Sequence, residues 1–551
     1  MSNAKVAAAL RGLRPTLIDR LVNFVDPVRG TARLRSRAQG IVLSAMWGGG
    51  YTGARKDRRA LKNADKRDLS ADAALLPDLA TLRGLSHSMY LNHPLARAAV
   101  KRVRTAVVGG GLTFKAKVDR RYLGLSDQEA ESWEAAAERL QAMHFQSKFF
   151  DSAQERDADQ MAASVLISVL LSGDTLVVRR YIEPGEGLRR AALLGTCAQL
   201  VDSARLCNPD NRPDGVLLSN GNRVAGGVER DGDGAAQAYW VLPSHPGDLR
   251  FDRRPPVRLL AVGESGERLI WHIFAAERAE QSRGEPFLAP VIEPLHQLGK
   301  YTEAELTAAV VSGLFTVFVE TASGQGMAPV AGAESDVAGE YQLGPGAVLQ
   351  GVPGDKVTTI DPNRPNVAFD PFVMACLRQV GAALEIPFEV LILHFTASYS
   401  AARAAILEAW RFFVRVRSWL IKEFYQPQYE AMLAECIARD LLTAPGFFDD
   451  LRLRAAYCGA DWVGPPMGQL NPLQETKALV EQVASGLNTR ERATAQLGNG
   501  DWESNVATLG REAGQMSAAG IIPAAGADPA ASSSSPDPAA PPDGGDQESP
   551  P

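Results

Sequence analysis

The sequence predicts an α+β protein, and three observations carry that reading. Apolar residues recur at helical spacing in several separated stretches. A block from Ala191 to His272 consists of short Val/Leu segments divided by NPDNRPDG, SNGN and ERDGDG, all turn chemistry. Long helical patterns then resume beyond it. With 551 residues, 45% apolar and 22% charged, the chain has material for more than one compact unit and needs no disulfide or metal staple.

Taken in order, Val6 to about Ala60 is helical with Gly and Pro breaks, and 61–80 reads as a linker. Residues 1–70 hold fifteen Lys/Arg against five Asp, about +10, which leaves about −16 on the rest of a chain of net charge −6. Residues 1–80 are therefore a basic N-terminal arm. Such an arm can lie on nucleic acid or on an acidic partner, and it can equally be a solvated face. The acidic remainder argues against tight, sequence-independent DNA binding, which phosphate neutralisation drives.

The stretch from about Leu82 to Val108 is helical and divided by Pro94, which suits the first turn of a second helix. There Leu95, Ala99, Val103 and Val107 repeat at i, i+4. Gly109–Gly111 end it, and LTFKAKV alternates as a strand. Helices are predicted over 127–146, containing Trp133, and over 157–171, the latter closed by Gly173 and followed by a strand over 175–182. Within the β-rich block, GGVERDGDGAAQAYWVLP reads as a hairpin with Asp-Gly at its tip.

A helix over 286–312 leads into the strand-like FTVFVE. Residues 321–369 are rich in Gly, Pro and Asp with little helical pattern. A helix over 371–384 ends at Ile386-Pro387, and FEVLILHFTASYS forms an irregular join. A long aromatic helix from Ser400 to Tyr425 follows, which Pro427 should kink or end. Residues 446–471 are mixed and 473–516 helical. From Ala519 the Ala/Pro/Ser/Asp-rich, aromatic-free composition predicts disorder.

Catalytic signals are sparse. There is no GxxxxGK[ST] loop, no GxSxG elbow, no HExxH and no HxH. The glycines at 109–111 precede a strand, whereas a phosphate cradle needs a helix N-terminus there. Ser398 and Ser400 lie near His394, a pattern that a nucleophile and base or a polar loop tip would both produce. The five cysteines are scattered, with no CxxC pair, and read as thiols in a reducing cytoplasm. No apolar run approaches the ~20 residues of a membrane helix, and no signal-peptide pattern is present. No cofactor or metal is expected, and a soluble intracellular protein is.

The informative side chains are large. Trp410, Phe413, Arg417, Ile421 and Phe424 line one face of the long helix, interleaved with Arg403, Arg411, Arg415 and Lys422. The aromatics suit a core, with arginines snorkelling from its flanks. Arg403, Arg411, Arg415, Arg417 and Lys422 are thereby candidate contacts between subunits or along a channel, since Arg is favoured at interfaces.

Two long strings resemble the lambda-type family of tailed-phage portal proteins: ERAEQSRGEPFLAPVIEPLHQLGKYTEAELTAAVVSGLFTVFVE and RQVGAALEIPFEVLILHFTASYSAARAAILEAWRFFVRVRSWLIKEFYQPQYEAML. Shorter matches are YLNHPLARAAVKRVRTAVVGGGL, SGDTLVVRR and APGFFDDLRLRAAYCGADWVGPPMGQLNPLQETKA, so the likeness spans about 10–510. The resemblance implies a structural, non-enzymatic subunit of a homo-oligomeric ring, usually a dodecamer, at one capsid vertex of the virion. Double-stranded DNA would enter and leave through it. Its partners would be the terminase, neck or head-tail joining proteins, and the major capsid and scaffold proteins, with no membrane involved.

Mapped by that resemblance, 82–285 would be a mixed α/β wing, returning at 440–472. Residues 286–320 and 371–386 would be the two stem helices, and 321–369 a small α/β clip between them. Residues 387–400 would be a tunnel loop carrying Phe395, Thr396, Ser398, Tyr399 and Ser400. The long helix behind it would run over 401–438, with short crown helices at 473–516 and a disordered tail at 519–551. Two rival readings stay open on sequence alone. One is a ring-forming interaction protein of another phage assembly, and the other a hydrolase using 394–400.

Overall fold

The computed structural model describes residues 67–185, 187, 191–249, 252, 254–313, 317–320, 356–359, 369–394, 399–468, 472–497 and 502–519. The basic arm up to 66, most of the expected clip, the loop tip 395–398 and the tail from 520 lie outside the described residues. The chain divides after Leu69, and everything below belongs to the second unit. It is a mixed α+β structure.

The first helix, α1, spans Ala71–Asn92, and Ser70 caps it by accepting from the Ala73 N–H. This corrects the linker reading of 61–80: the Ser70 cap and Asp72 in the first turn start a helix that Pro77 does not stop. Pro94 then opens α2, Pro94–Val107, whose missing N–H costs nothing at that position. Its buried stripe is Ala96, Ala99, Val100, Val103 and Val107. Strand β1, Thr113–Ala116, pairs antiparallel with the distant β12, Ala460–Val463, setting Phe114 opposite Trp462.

Helix α3, Asp127–Phe145, begins in a Ser126/Glu129 capping box. Helix α4, Ala158–Ser172, begins in an Asp157/Gln160 box and is buried on most sides. Gly173 ends it at φ 90°. The reason for glycine is close approach: a Cβ there would overlap the Gly284 carbonyl, and one on Gly284 would overlap that of Gly173.

Strand β2, Asp174–Tyr181, is the centre of a three-stranded antiparallel sheet between β3, Thr196–Asp202, and β9, Ile270–Phe274. A five-stranded antiparallel meander lies between them in sequence: β4 Val216–Leu217, β5 Arg223–Ala225, β6 Val228–Arg230, β7 Ala236–Val241 and β8 Val257–Leu260. The β6–β7 hairpin turns where the Asp231 carboxylate accepts the Asp233 and Ala235 N–H groups, with Gly234 at φ 88°. Leu176, Val201, Val228, Tyr239 and Ile270 form the small core joining the two sheets.

Glu229 of β6 has a fully buried side chain. Arg258 donates to both its oxygens at 2.8 Å, Asn220 and Asn222 each donate at 2.7 Å, and the Trp240 indole at 3.1 Å. The Arg258 hydrogen bonds, with those of the two asparagines, hold its carboxyl at about 2.

Helix α5, Ile292–Gly313, precedes β10, Val317–Glu320, which pairs antiparallel with β11, Lys356–Thr359. Helix α6, Phe369–Ala383, returns beside α5, with Tyr301 stacked 5.6 Å from Phe369 and 4.9 Å from the edge-on Phe372. Next come the short α7, Phe388–Ile392, and the long α8, Tyr399–Leu420. Pro427 does not end the rod. Residues Ile421–Tyr425 form a π turn in which the Gln426 N–H donates five residues back, and α9, Gln426–Ala438, continues. The wider turn relieves the clash that a proline ring makes with the carbonyl four residues before it.

The main core packs α2, α3, α4 and the three-stranded sheet around the second half of this rod. Leu420, Phe424, Tyr425, Tyr429, Met432 and Cys436 are fully buried there. The described chain ends with α10, Leu451–Tyr457, then α11, Pro472–Ala484, α12, Arg490–Leu497, and α13, Trp502–Ala518. Among the described residues no helix is long and apolar enough to cross a membrane.

Candidate site at the loop and the long helix

The expected tunnel loop begins as ordered helix. Residues 388–392 form α7, which closes with Leu393 in the left-handed region at φ 57°, its N–H donating to the Glu389 carbonyl. The irregular reading of this stretch is corrected to that extent. Phe395, Thr396 and Ser398 lie outside the described residues, Tyr399 opens α8, and Ser400 is exposed. From Ser400 to Glu408 no described side chain is buried, and the first that is buried is Ala409. The start of α8 therefore stands clear of the core while its end is embedded.

The five candidate cations of this rod behave differently. Arg403 is 3.8 Å from Glu475 on α11. Arg411 pairs with Glu408 one turn back at 3.0 Å, both exposed. Arg415 reaches Glu385 after α6 at 2.5 Å and lies over the Phe412 ring. Lys422 is exposed on the π turn. Between α6, α7 and α8, Arg411 and Arg415 border an open cleft of about 580 Å³, also lined by Arg378, Glu385, Phe388 and Glu408.

Arg417 turns inward instead. Its Nη2 donates to the Ala106 carbonyl at 2.6 Å and to that of Pro465 at 2.9 Å, and its Nε to the Val107 carbonyl at 3.1 Å. It thereby satisfies the last carbonyls of α2, where a cation also complements the helix dipole. The guanidinium stacks 5.2 Å from the Trp410 ring centre, and burial pushes its pKa down. Arg417 thus joins α8 to the end of α2 and to the segment after β12 within its own chain.

Sequence reasoning missed the most polar buried cluster, at the hand-off from α4 to β2. Asp174 is fully buried. Its Oδ1 accepts from Arg83 Nη2 at 3.0 Å and Arg283 Nη2 at 3.2 Å, and its Oδ2 from Arg283 Nε at 2.5 Å, with His272 Nε2 at 2.9 Å. Arg283 also donates to the Gly226 and Ser203 carbonyls, each at 2.7 Å. Burial alone would push the Asp174 carboxyl up, but Arg283 and His272 hold it well below the carboxylate range. Burial and the Arg283 charge bring Arg83 down to about 10. The signal was present in two strings, SGD and SRG, whose contact no spacing rule reveals. A second missed anchor is Glu435 on α9, which accepts the Gly195 and Thr196 N–H groups at 2.7 Å and pairs with Arg439.

Among the described residues, the geometry assembles no nucleophile, base and oxyanion donors. Among the described residues no group of His, Cys, Asp or Glu could hold a metal. The site offers exposed charge, an open cleft and a projecting helix start, which are means of contact.

Comparison with known proteins agrees. The family model "Phage portal protein, lambda family" matches residues 57–417. The portal protein of Escherichia phage N15 is 24% identical over 503 residues, covering 87% of this chain and 91% of its own length. Portal protein B of Escherichia phage lambda is 24% identical over 481 residues, covering 83% and 87%. A probable portal protein of Halomonas phage phiHAP-1 is 28% identical over 280 residues, covering 49% and 52%. A solved chain described as "Neck of native GTA particle computed with C12 symmetry" aligns with 80% of this chain and 97% of its own, at 13% identity and a TM-score of 0.42. With the match extending from before α1 to the embedded half of α8, well over half of the chain, the chain belongs to the lambda family of phage portal proteins.

Proposed function

We propose that copies of this chain close into a ring, most simply of twelve, at one vertex of the capsid, with α8 and the 387–400 loop set towards the bore. The observation that carries this is the family match over 57–417. The chain is a capsid portal subunit for DNA packaging and a structural protein; the family assignment removes the hydrolase reading of 394–400.

Within that frame α5 and α6, side by side through Tyr301, Phe369 and Phe372, are the two stem helices, and the span between them is the clip. Residues 82–285 are the wing, returning at 440–472, and α11 to α13 are the crown. Phe395, Thr396 and Ser398, with Tyr399 and Ser400 at the start of α8, belong to the tunnel loop, and Arg403, Arg411, Arg415, Arg417 and Lys422 are candidates for subunit or channel contacts. The terminase and neck proteins dock on the clip side, and capsid and scaffold proteins surround the ring. Assembly takes place in the host cytoplasm. A ring interface needs two different patches on each copy, because a heterologous contact closes only by rotation.

Electron microscopy of the purified chain tests the ring: closed rings of countable symmetry are expected, and monomers alone at micromolar concentration across several salt conditions would refute it. Shortening 394–398 should leave rings intact and block DNA packaging or retention. Normal packaging by that variant would displace the loop assignment.

A further inference from the structure

We propose that Asn220 is a site of spontaneous deamidation, that Glu229 governs its rate, and that its conversion to an acid unlocks the five-stranded meander. Asn220 and Gly221 are exposed at the tip between β4 and β5, and a Cβ on Gly221 would meet nothing within 4 Å. A glycine after asparagine leaves the next backbone nitrogen unscreened by any side chain. That nitrogen can attack Asn220 Cγ, its proton passing through water to the side-chain nitrogen, which leaves as ammonia. A cyclic imide joins the two residues. Water then opens the imide at one of its two carbonyls and leaves aspartate or isoaspartate at 220.

The closed turn restrains both ends of that step. The Gly221 N–H, source of the nucleophile, donates to the Leu218 carbonyl at 3.0 Å. The Asn220 Nδ2, the leaving group, donates to Glu229 Oε1 at 2.7 Å. Glu229 also accepts from Arg258, Asn222 and Trp240, and a carboxylate held in this way has no proton to give the departing nitrogen. Between these two restraints, Asn220 Oδ1 accepts the Asn222 N–H at 3.1 Å, which polarises the amide carbon towards attack. The electrophile is primed while nucleophile and leaving group are held. Reaction therefore proceeds through local opening of the tip, and the open population scales the rate of the free sequence.

The product cannot return to the same contacts. An aspartate at 220 has no side-chain N–H for Glu229 and brings a second carboxylate against the first, where like charges oppose one another. Glu229 on β6 ties the β4–β5 tip to Trp240 on β7 and Arg258 on β8. Change at one amide thus reaches every strand of the meander.

The test incubates the full-length chain at neutral pH and follows the amide-to-acid mass gain at Asn220 by peptide mass spectrometry. A synthetic peptide of residues 206–223 gives the unrestrained rate, and Asn499-Gly500, the same pair elsewhere in the chain, reports global changes. Asn220 in the folded chain should react more slowly than in the peptide. Glu229→Gln should speed it about tenfold, the factor that ~1.4 kcal/mol of lost closure gives, with Asn499 unchanged. A folded chain as fast as the peptide, or a variant no faster than the parent, would overturn Glu229 as the guard. Acceleration at both pairs would overturn the local gate. Asn220→Asp, made directly, should lower the urea midpoint at neutral pH and regain part of it on acidification, as one carboxyl takes up a proton. Full stability of that variant at neutral pH would overturn the unlocking.

Discussion

Asp174 and Arg283 form a buried, two-pronged ion pair, 2.5 Å and 3.2 Å between heavy atoms, joining the first residue of β2 to a loop residue 109 positions later. The pair fastens the end of α4 to the chain leading into α5. It is also where wing and stem would meet in the proposed assignment.

Removing either partner should strand a buried charge. Asp174→Ala or Arg283→Ala is expected to cost about 3–5 kcal/mol. Urea unfolding of the purified chain checks this; a loss below 1 kcal/mol would show that the cluster adds little. Because the Asp174 carboxyl is held below its ordinary value, its contribution is complete above the unfolded pKa of ~3.9 and falls as the pH drops towards the folded one.

Glu229 should give the five-stranded meander its own acid sensitivity. With its carboxyl held at about 2, its stabilisation is present above ~4.3 and is lost between there and about 2. Glu229→Gln replaces an acceptor of five donors with a group that is itself half donor, at an expected about 1–3 kcal/mol. The same acid titration, followed by tryptophan fluorescence, should be flatter in that variant.

Gly173→Ala and Gly284→Ala should each be severe, about 4 kcal/mol or more, because the added methyl meets backbone that cannot rotate away. Gly124→Ala is the comparison. That glycine also has positive φ but has open space around it, so it should cost only about 1 kcal/mol. Thermal melts of the three variants separate steric overlap from backbone strain.

Arg417→Lys keeps a charge but cannot span three carbonyls. A loss of about 1–3 kcal/mol is expected, with ring formation unchanged by electron microscopy. Rings that fall apart while monomer stability is unaltered would place Arg417 at the subunit interface.

Local chemistry made much of this fold legible. The Gly173 stop and the Asp-Gly hairpin depend on residues within a few positions of each other, and they appear in the structure as the sequence suggests. The start of α1 was obscured because Asp72 and Pro77 suit a linker as well as a first helical turn. The Asp174 cluster was beyond reach, since its partners lie 91, 98 and 109 residues away. Arg417 shows the limit of a helical wheel. Periodicity puts it beside Trp410 and Phe413, but the carbonyls it serves belong to residues some 310 positions earlier.

The π turn at 421–425 has a consequence for how this rod can change over time. One extra residue offsets everything after it by about 100° around the axis, so α8 and α9 each aim a different side of one continuous helix at the core. A single-residue deletion there would leave every side chain of α9 present yet point Tyr429, Met432 and Cys436 away from their sockets. Substitutions on the exposed side of the rod can therefore be absorbed one at a time, whereas its length between Leu420 and Gln426 is locked.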